Sequence, residues 1–582
     1  MSLNKYSIAA GLAGAMLIIN QLLFRSPILG VFLMAVYVAL MAVGLARGLD
    51  HRTNGRFIWG LPLFLGILVS LGAIIYFFYE INLWVVDAFL LWMPAGLPLL
   101  NHLKSSSQVI SPPLQKTRLS KTQVVLALPF LLLITKCFQF LWRSASSSSL
   151  TSPFQVLNPH FFVYYLLSSI LLMLILRRGF SKISQATTTV FYFLSFSMAL
   201  IIYKVGFGFD PFIHQATEKF ITQHGAIDPK PLYYLGQYFL VVFLNKTTFL
   251  SIEILDKYLV PVLSAVLIPG LLLHVLNQWE KRLNLRLLTW APIFLILPFS
   301  SFTLTTPQSL ANLFLIIVML TGLDPEANWL ALLIPALGAL FIQPLAGIPA
   351  LIFVGLMILR QWSNQAQIWH KLIWLLLIFL ASISLPLVFL IQSHLSSQTV
   401  SQLRTPDHWL SALAWLLPNF DRYFSWHFDI VYFWANNLHL ILLLAALLGI
   451  GLVIRKNLWP TLNPYFWTFF ILLCNYFFLS NLVKFLFLID YEQNNYPGRL
   501  LEIGFYFLIP FILAAWQFIF SRTGQWRQGA GILTLALLIT NSLYFTYPRA
   551  NKFEPGHNIS TSQTDIETVH SIDQVATGDY VV

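Results

Sequence analysis

Thr188-Thr-Val-Phe-Tyr-Phe-Leu-Ser-Phe-Ser-Met-Ala-Leu-Ile-Ile-Tyr-Lys204 leads into Gly206-Phe-Gly-Phe-Asp-Pro-Phe-Ile-His-Gln-Ala-Thr-Glu218. An apolar run stops there and carboxylates begin. Hydrophobic segments lie before this junction and more lie after it, so it reads as a membrane span opening into a polar loop. Asp210, His214, Glu218 and Asp228 interrupt an otherwise apolar chain and mark the first place to look for chemistry. Asp210-Pro211 with Gly225 is also a local helix signature: a capping Asp, Pro at the first helical position, Gly past the end. It predicts a helix over 211–224. Asp210, His214 and Glu218 recur at every fourth position and so share one face of that helix. Such a face could hold a divalent ion or deprotonate an acceptor, or Asp210 could do no more than cap.

Composition widens the reading outward. Of 582 residues 58% are hydrophobic and 10% charged, against about 25% charged in soluble proteins. The chain is therefore an all-α polytopic membrane protein, because lipid satisfies no backbone polar group and the apolar runs are too long for barrel strands. The net charge of +12 sits in short loops, as the distribution of Lys and Arg in membrane proteins demands. No basic, aromatic-interleaved domain is available for nucleic acid, and no phosphate-binding glycine loop indicates nucleotide chemistry. Cys137 and Cys474 lie in apolar runs and read as packing residues.

Spans are expected at about 7–24, 27–47, 57–79, 82–101, 123–142, 159–177, 188–204, 259–277 and 287–302. They continue at about 308–323, 328–343, 345–361, 371–392, 430–454, 462–488, 499–520 and 529–546, roughly seventeen in all. The first reads as an uncleaved span rather than a leader. With that count one face collects Arg52, Arg56, Lys104–Lys121, Arg177–Lys182, Lys281–Arg286, Arg360, Lys371, Arg455, Lys456, Arg522 and Arg527. That face is cytoplasmic, so the N-terminus is inside and the C-terminus outside. Outer loops 205–258 and 393–429 are long. The run 231–245, with Tyr233, Tyr234 and Tyr238, reads as an interfacial helix, and the Ser-rich 143–152 as a flexible connector. The tail 547–582 reads as the start of an extracytoplasmic domain, with a helix over 564–574.

Here the residues carry a resemblance. Gly208-Phe-Asp-Pro-Phe with His214 and Thr217-Glu-Lys-Phe220 resembles the first external loop of oligosaccharyltransferase catalytic subunits, members of the GT-C glycosyltransferases. Tyr233-Tyr-Leu-Gly-Gln237, Thr305-Thr-Pro-Gln-Ser309 and Gln343-Pro-Leu-Ala-Gly-Ile-Pro349 are similar to that family too. The likeness covers residues 188–546, leaving 1–187 as a six-span N-terminal extension. It implies a polyprenyl-phosphate-linked sugar donor and an acceptor glycan, lipid or protein. It also implies Asp210 as catalytic base or metal-binding carboxylate, with Glu218 or His214 assisting. Divalent Mg or Mn would then be a possible cofactor, on Asp210 and Glu218. The Trp-Trp-Asp-Tyr-Gly acceptor motif is missing; Trp409–Asp421 does not match it, which points away from peptide asparagine.

A second polar cluster comprises Lys484, Asp490, Glu492 and Arg499, with Pro497-Gly498 read as a turn. Arg499 and Lys484 are either snorkelling to the interface or clamping a donor phosphate. A third, Arg404, Asp407, His408, Asp421, Arg422, His427 and Asp429, is a solvated face or a cover over the site. Gln343-Pro344 is either a helical-hairpin turn or a break lining a cavity. His274, His370, His439 and the Asn558-Ile-Ser560 sequon receive no role. The alternatives to an enzyme are a transporter or flippase for lipid-linked glycans, or an assembly protein. The clustering of polar residues at one outer surface, with no internal repeat, favours surface chemistry over passage.

Overall fold

The computed structural model describes residues 3–49, 56–99, 120–231, 233–325, 327–362, 368–395, 401–403, 411–421, 425–486, 488–489, 492–521, 524–551, 554 and 560–576. The chain divides into two compact units, residues 1–313 with 532–582 and residues 314–531. Both are helical; the only strands among the described residues are one three-residue antiparallel pair.

The first unit opens with α1 (Leu3–Ile19), α2 (Pro27–Gly48), α3 (Arg56–Phe78) and α4 (Leu83–Gly96). Then come α5 (Lys121–Arg143), α6 (His160–Leu176), α7 (Lys182–Phe196) and the short α8 (Met198–Ile202). α9 (Asp210–His224), α10 (Leu235–Thr248) and α11 (Ile252–Leu283) follow. The expected span 188–204 is two pieces, α7 and α8, parted at Ser197. The expected span 287–302 is not an α-helix either. It forms 3₁₀ turns at Leu288–Ile296 and Ser300–Phe302, and all nine residues of the longer turn are buried. Pro292 and Pro298 remove the amides an α-helix would need there.

The interfacial reading of 231–245 is also corrected. α10 is packed inside the unit, with Leu235 to Phe243 buried without interruption, against α2, α3, α4, α9 and α11. Phe239-Leu-Val-Val-Phe243 is apolar all round, and such a helix belongs in a core. Phe239 stacks on Phe243 and tilts against Phe89.

The second unit begins within α12 (Pro307–Gly322) and holds α13 (Trp329–Ile342), α14 (Pro344–Trp362), α15 (Ile368–Ser382) and α16 (Ser384–Leu395). β1 (Ser401–Leu403), α17 (Trp426–Asn436), α18 (Leu438–Arg455), α19 (Trp459–Leu482), β2 (Val483–Phe485) and α20 (Asn495–Ser521) complete it. Of the two readings of Gln343-Pro344 the hairpin turn is found: Gln343 ends α13 in an extended conformation and Pro344 starts α14. The segment expected at 371–392 bends by 49° between α15 and α16. A broken helix in lipid needs partners for the freed backbone groups, and Asn475 of α19 supplies them. Its amide donates to the Ala381 carbonyl at 2.8 Å and its oxygen accepts from the Leu385 N–H at 3.0 Å. α21 (Gln525–Thr546) then leads back into the first unit, which ends with α22 (Gln563–Val575), close to the helix expected over 564–574.

Among the described residues nine helices are long and apolar enough to cross a membrane, and the bent pair makes a tenth. Five further expected spans are apolar helices of 10–17 residues. The protein is thus an all-α membrane protein.

The Ser-rich 143–152 segment is not a loose connector. Ser146 bridges Tyr203 in parallel, its N–H bonding Ile202 and its carbonyl accepting from Lys204. On its other side Ser560 accepts from the Leu150 N–H at 2.8 Å and donates to the Leu150 carbonyl at 2.9 Å. Ser152 donates to the Pro548 carbonyl and Gln563 N–H to the Ser147 carbonyl. Short hydroxyl side chains satisfy the backbone of two neighbouring segments at once.

Candidate functional site

α9 forms where its residues direct. Pro211 sits in the first turn, and Gly225 ends the helix at φ 83°, its N–H returning to the Ile221 carbonyl at 2.7 Å. A left-handed residue in that position favours glycine. Gly206 precedes the helix at φ 146°, and a Cβ there would lie 2.7 Å from the Phe212 ring, so the approach to Asp210 is built for glycine as well. The far end is anchored on the last turn of α3 and the residues that follow it. Gly225 accepts from Ile81 N–H, and Lys230 Nζ donates to the Tyr76 and Tyr79 carbonyls at 2.9 and 2.8 Å.

Asp210 opens this helix but does not cap it: the preceding residue is Phe209, and no side-chain cap bond is made. Its carboxylate is exposed. One helical turn on, His214 is half-buried, with Nδ1 3.0 Å from the Tyr238 hydroxyl and its ring edge-on to Tyr234. Burial lowers its pKa from 6.5 to about 4, with Asp210 pulling weakly the other way, so the imidazole is neutral at pH 7. Glu218 is fully buried. Its Oε1 accepts from Gln237 Nε2 at 3.0 Å. Burial first, and then the carboxyl of Asp256 in contact with it, raise its pKa well above the ordinary value. The shared face is real, but it runs inward from an exposed carboxylate to a dry one.

Glu218 therefore does not stand beside Asp210 as a metal pair; its polar neighbours are Gln237 and Asp256. Among the described residues no three His, Cys, Asp or Glu side chains gather as a metal-ligand set. Sequence reasoning missed Gln237 and Asp256 as members of this cluster. The available signal was an acid in the first turns of an apolar helix, Ser251-Ile-Glu-Ile-Leu-Asp256, where a charged side chain asks for a partner.

Asp210, His214 and Glu218 belong to the first unit, while Lys484, Glu492 and Arg499 belong to the second. Lys484 is exposed on β2, opposite Gln402 of β1. Gln493 holds the following turn, accepting from the Phe485 N–H and donating to the Phe485 and Leu488 carbonyls. Glu492 is half-buried beside it, and Asp490 lies outside the described residues. Arg499 lies in the second turn of α20, its guanidinium 5.9 Å from the centre of the Tyr496 ring. Pro497-Gly498, read as a turn, is instead helical, as proline is tolerated in a first turn. Of the third cluster, Arg404, Asp407, His408 and Arg422 lie outside the described residues. Asp421 is exposed and His427 meets the Ser425 hydroxyl. Buried His274 bonds the Gly270 carbonyl and edges onto Phe180, a packing role.

Compared with protein-family models, with curated proteins and with solved structures, the chain matches none.

Proposed function

We propose that this chain is a GT-C-type membrane glycosyltransferase that moves a sugar from a polyprenyl-phosphate donor to an acceptor at the extracytoplasmic face, with seventeen spans, N-terminus inside and C-terminus outside. The observation that carries the reading is the placement of Asp210: an exposed carboxylate, free of capping duty, opening a polar helix beside a neutral imidazole. Asp210 takes the proton of the acceptor hydroxyl as that oxygen attacks the anomeric carbon. The bond from that carbon to the phosphate oxygen breaks, its electron pair leaves with the lipid phosphate, and configuration inverts. Arg499 holds the departing phosphate through its planar fork of donors, with Lys484 as a second cation. Glu218 makes its contacts with Gln237 and Asp256 and takes no part in the step.

A transporter or flippase for lipid-linked glycans is the second reading, favoured by the 49° break between α15 and α16, because transporters use broken helices. Transfer assayed in detergent, where no compartments exist, separates the two. Purified protein with a radiolabelled polyprenyl-phosphate sugar should release lipid phosphate in proportion to acceptor glycosylated. Asp210→Asn should cut that turnover by about 10²-fold or more, with the protein still folded. Full turnover in the variant, or none in the native chain alongside flipping in vesicles, defeats the reading.

A further inference from the structure

The buried contact between α9 and α11 has a charge problem. Glu218 is 0% exposed and Asp256 4%. Glu218 Oε2 and both oxygens of Asp256 receive no hydrogen bond from any N–H or hydroxyl donor, although the two carboxyls touch each other. Among the described residues the one donor to the pair, Gln237 Nε2, is spent on Glu218 Oε1.

Among the described residues, the cations nearest the pair on α9, α10 and α11 make their bonds elsewhere, although Lys219 and Glu253 still act on Asp256 through their charges. On α9 itself, Lys219 pairs with Glu253 and His214 faces the Tyr238 hydroxyl. From α10, Lys246 Nζ donates to the Thr222 carbonyl at 3.0 Å. From α11, Lys257 Nζ donates to the carbonyls of Tyr203 and Lys204. From α3, the Tyr76 hydroxyl accepts from the Ile227 N–H. Two carboxylates in contact in a dry site cannot both ionise.

We propose that Glu218 and Asp256 form a binding site for a single proton, and that this proton fastens α9 to α11. Glu218 O–H donates to Asp256 while Gln237 donates to Glu218, so the free Glu218 oxygen and one Asp256 oxygen gain a partner. Losing the proton sets two buried negative charges against each other, and α9 is released from α11. The inference is independent of the role given to Asp210, though α9 carries that residue.

Amide hydrogen exchange of the full-length protein in detergent tests it, over pH 6 to 9, with rates corrected for the intrinsic pH dependence of exchange. The expected result is that residues 212–224 lose protection by about tenfold per pH unit above the ionisation of the pair, while α6 keeps its protection. The Glu218→Gln/Asp256→Asn double variant should show no such loss. If the double variant proves too unstable to purify, Asp256→Asn alone, which removes the like charge but leaves one buried acid, should move the decline to a different pH, and a decline unmoved from the native one would overturn the proposal. Unchanged protection of the native α9 between pH 6 and 9 overturns the proposal, as does a double variant that loses protection like the native chain. Restoration of α9 at pH 9 by millimolar Mg or Ca ions would overturn it in favour of a metal site.

Discussion

His214 offers the most direct check on the electrostatics of α9. Its imidazole is half-buried against Tyr234 and Tyr238, and burial brings its pKa from 6.5 to about 4. Between those values the unfolded chain binds more protons at this position than the folded one. Stability therefore rises with pH from about 4 to 6.5 and is flat above that window. The whole gap corresponds to a ceiling of about 3 kcal/mol at about 1.4 kcal/mol per unit. Partial solvent screening reduces this to about half. The perturbation is His214→Gln, whose amide can still meet the Tyr238 hydroxyl but does not titrate. With selectively labelled histidine, the resonance missing in the variant identifies His214, and its shift is followed from pH 7.5 to 3.5. A midpoint near 4 is expected. The variant should also lose less stability than the native chain between pH 7 and 4.5, by about 1 to 2 kcal/mol. A midpoint at 6.5 or above would refute the reasoning, because the ring would then be solvated or paired with Asp210 rather than held dry.

Gln237→Leu removes the donor that Glu218 has among the described residues and should destabilise the protein by about 1 to 3 kcal/mol, read as a shortened half-life at elevated temperature in detergent. Ser560→Ala strips both the acceptor and the donor from the Leu150 backbone; protease should then remove the tail faster, with the first unit otherwise intact. Arg499→Ala should raise the Michaelis constant for the polyprenyl-phosphate donor by about tenfold or more, and an unchanged constant would take Arg499 out of the site. Asn475→Leu leaves the Ala381 carbonyl and Leu385 N–H at the α15–α16 break without partners; a loss of about 2 kcal/mol or more is expected, and a neutral result would show that the bend satisfies itself.

The membrane character and the bounds of α9 were legible because they rest on local chemistry: run length, Asp-Pro at one end and Gly225 at the other. The position of the apolar segments was legible too, since few polar residues interrupt them. Continuity was not. The break at Ser197 carries no proline or glycine, and Asn475, which makes the second break tolerable, is remote in sequence from Ala381. α10 was misplaced because its tyrosines suggested a headgroup belt, while the deciding fact, helices on every side, is tertiary. The face of α9 could be drawn from spacing, but its tilt into the unit could not. Glu218 became a buried acid only when α10 and α11 closed over it.

The seam of Ser146, Leu150 and Ser152 also has a consequence in time. Ser560 lies 410 residues beyond the Leu150 backbone it satisfies, and the whole second unit is made in between. At about 5–20 residues per second of synthesis, the Ser-rich edge waits roughly 20 to 80 seconds before Ser560 exists. Throughout that interval the first unit must persist as an unfinished body, its open edge covered by water or by an assembly factor. A chain released before Ser560 would carry every residue of the candidate site and still lack the stitch that closes it.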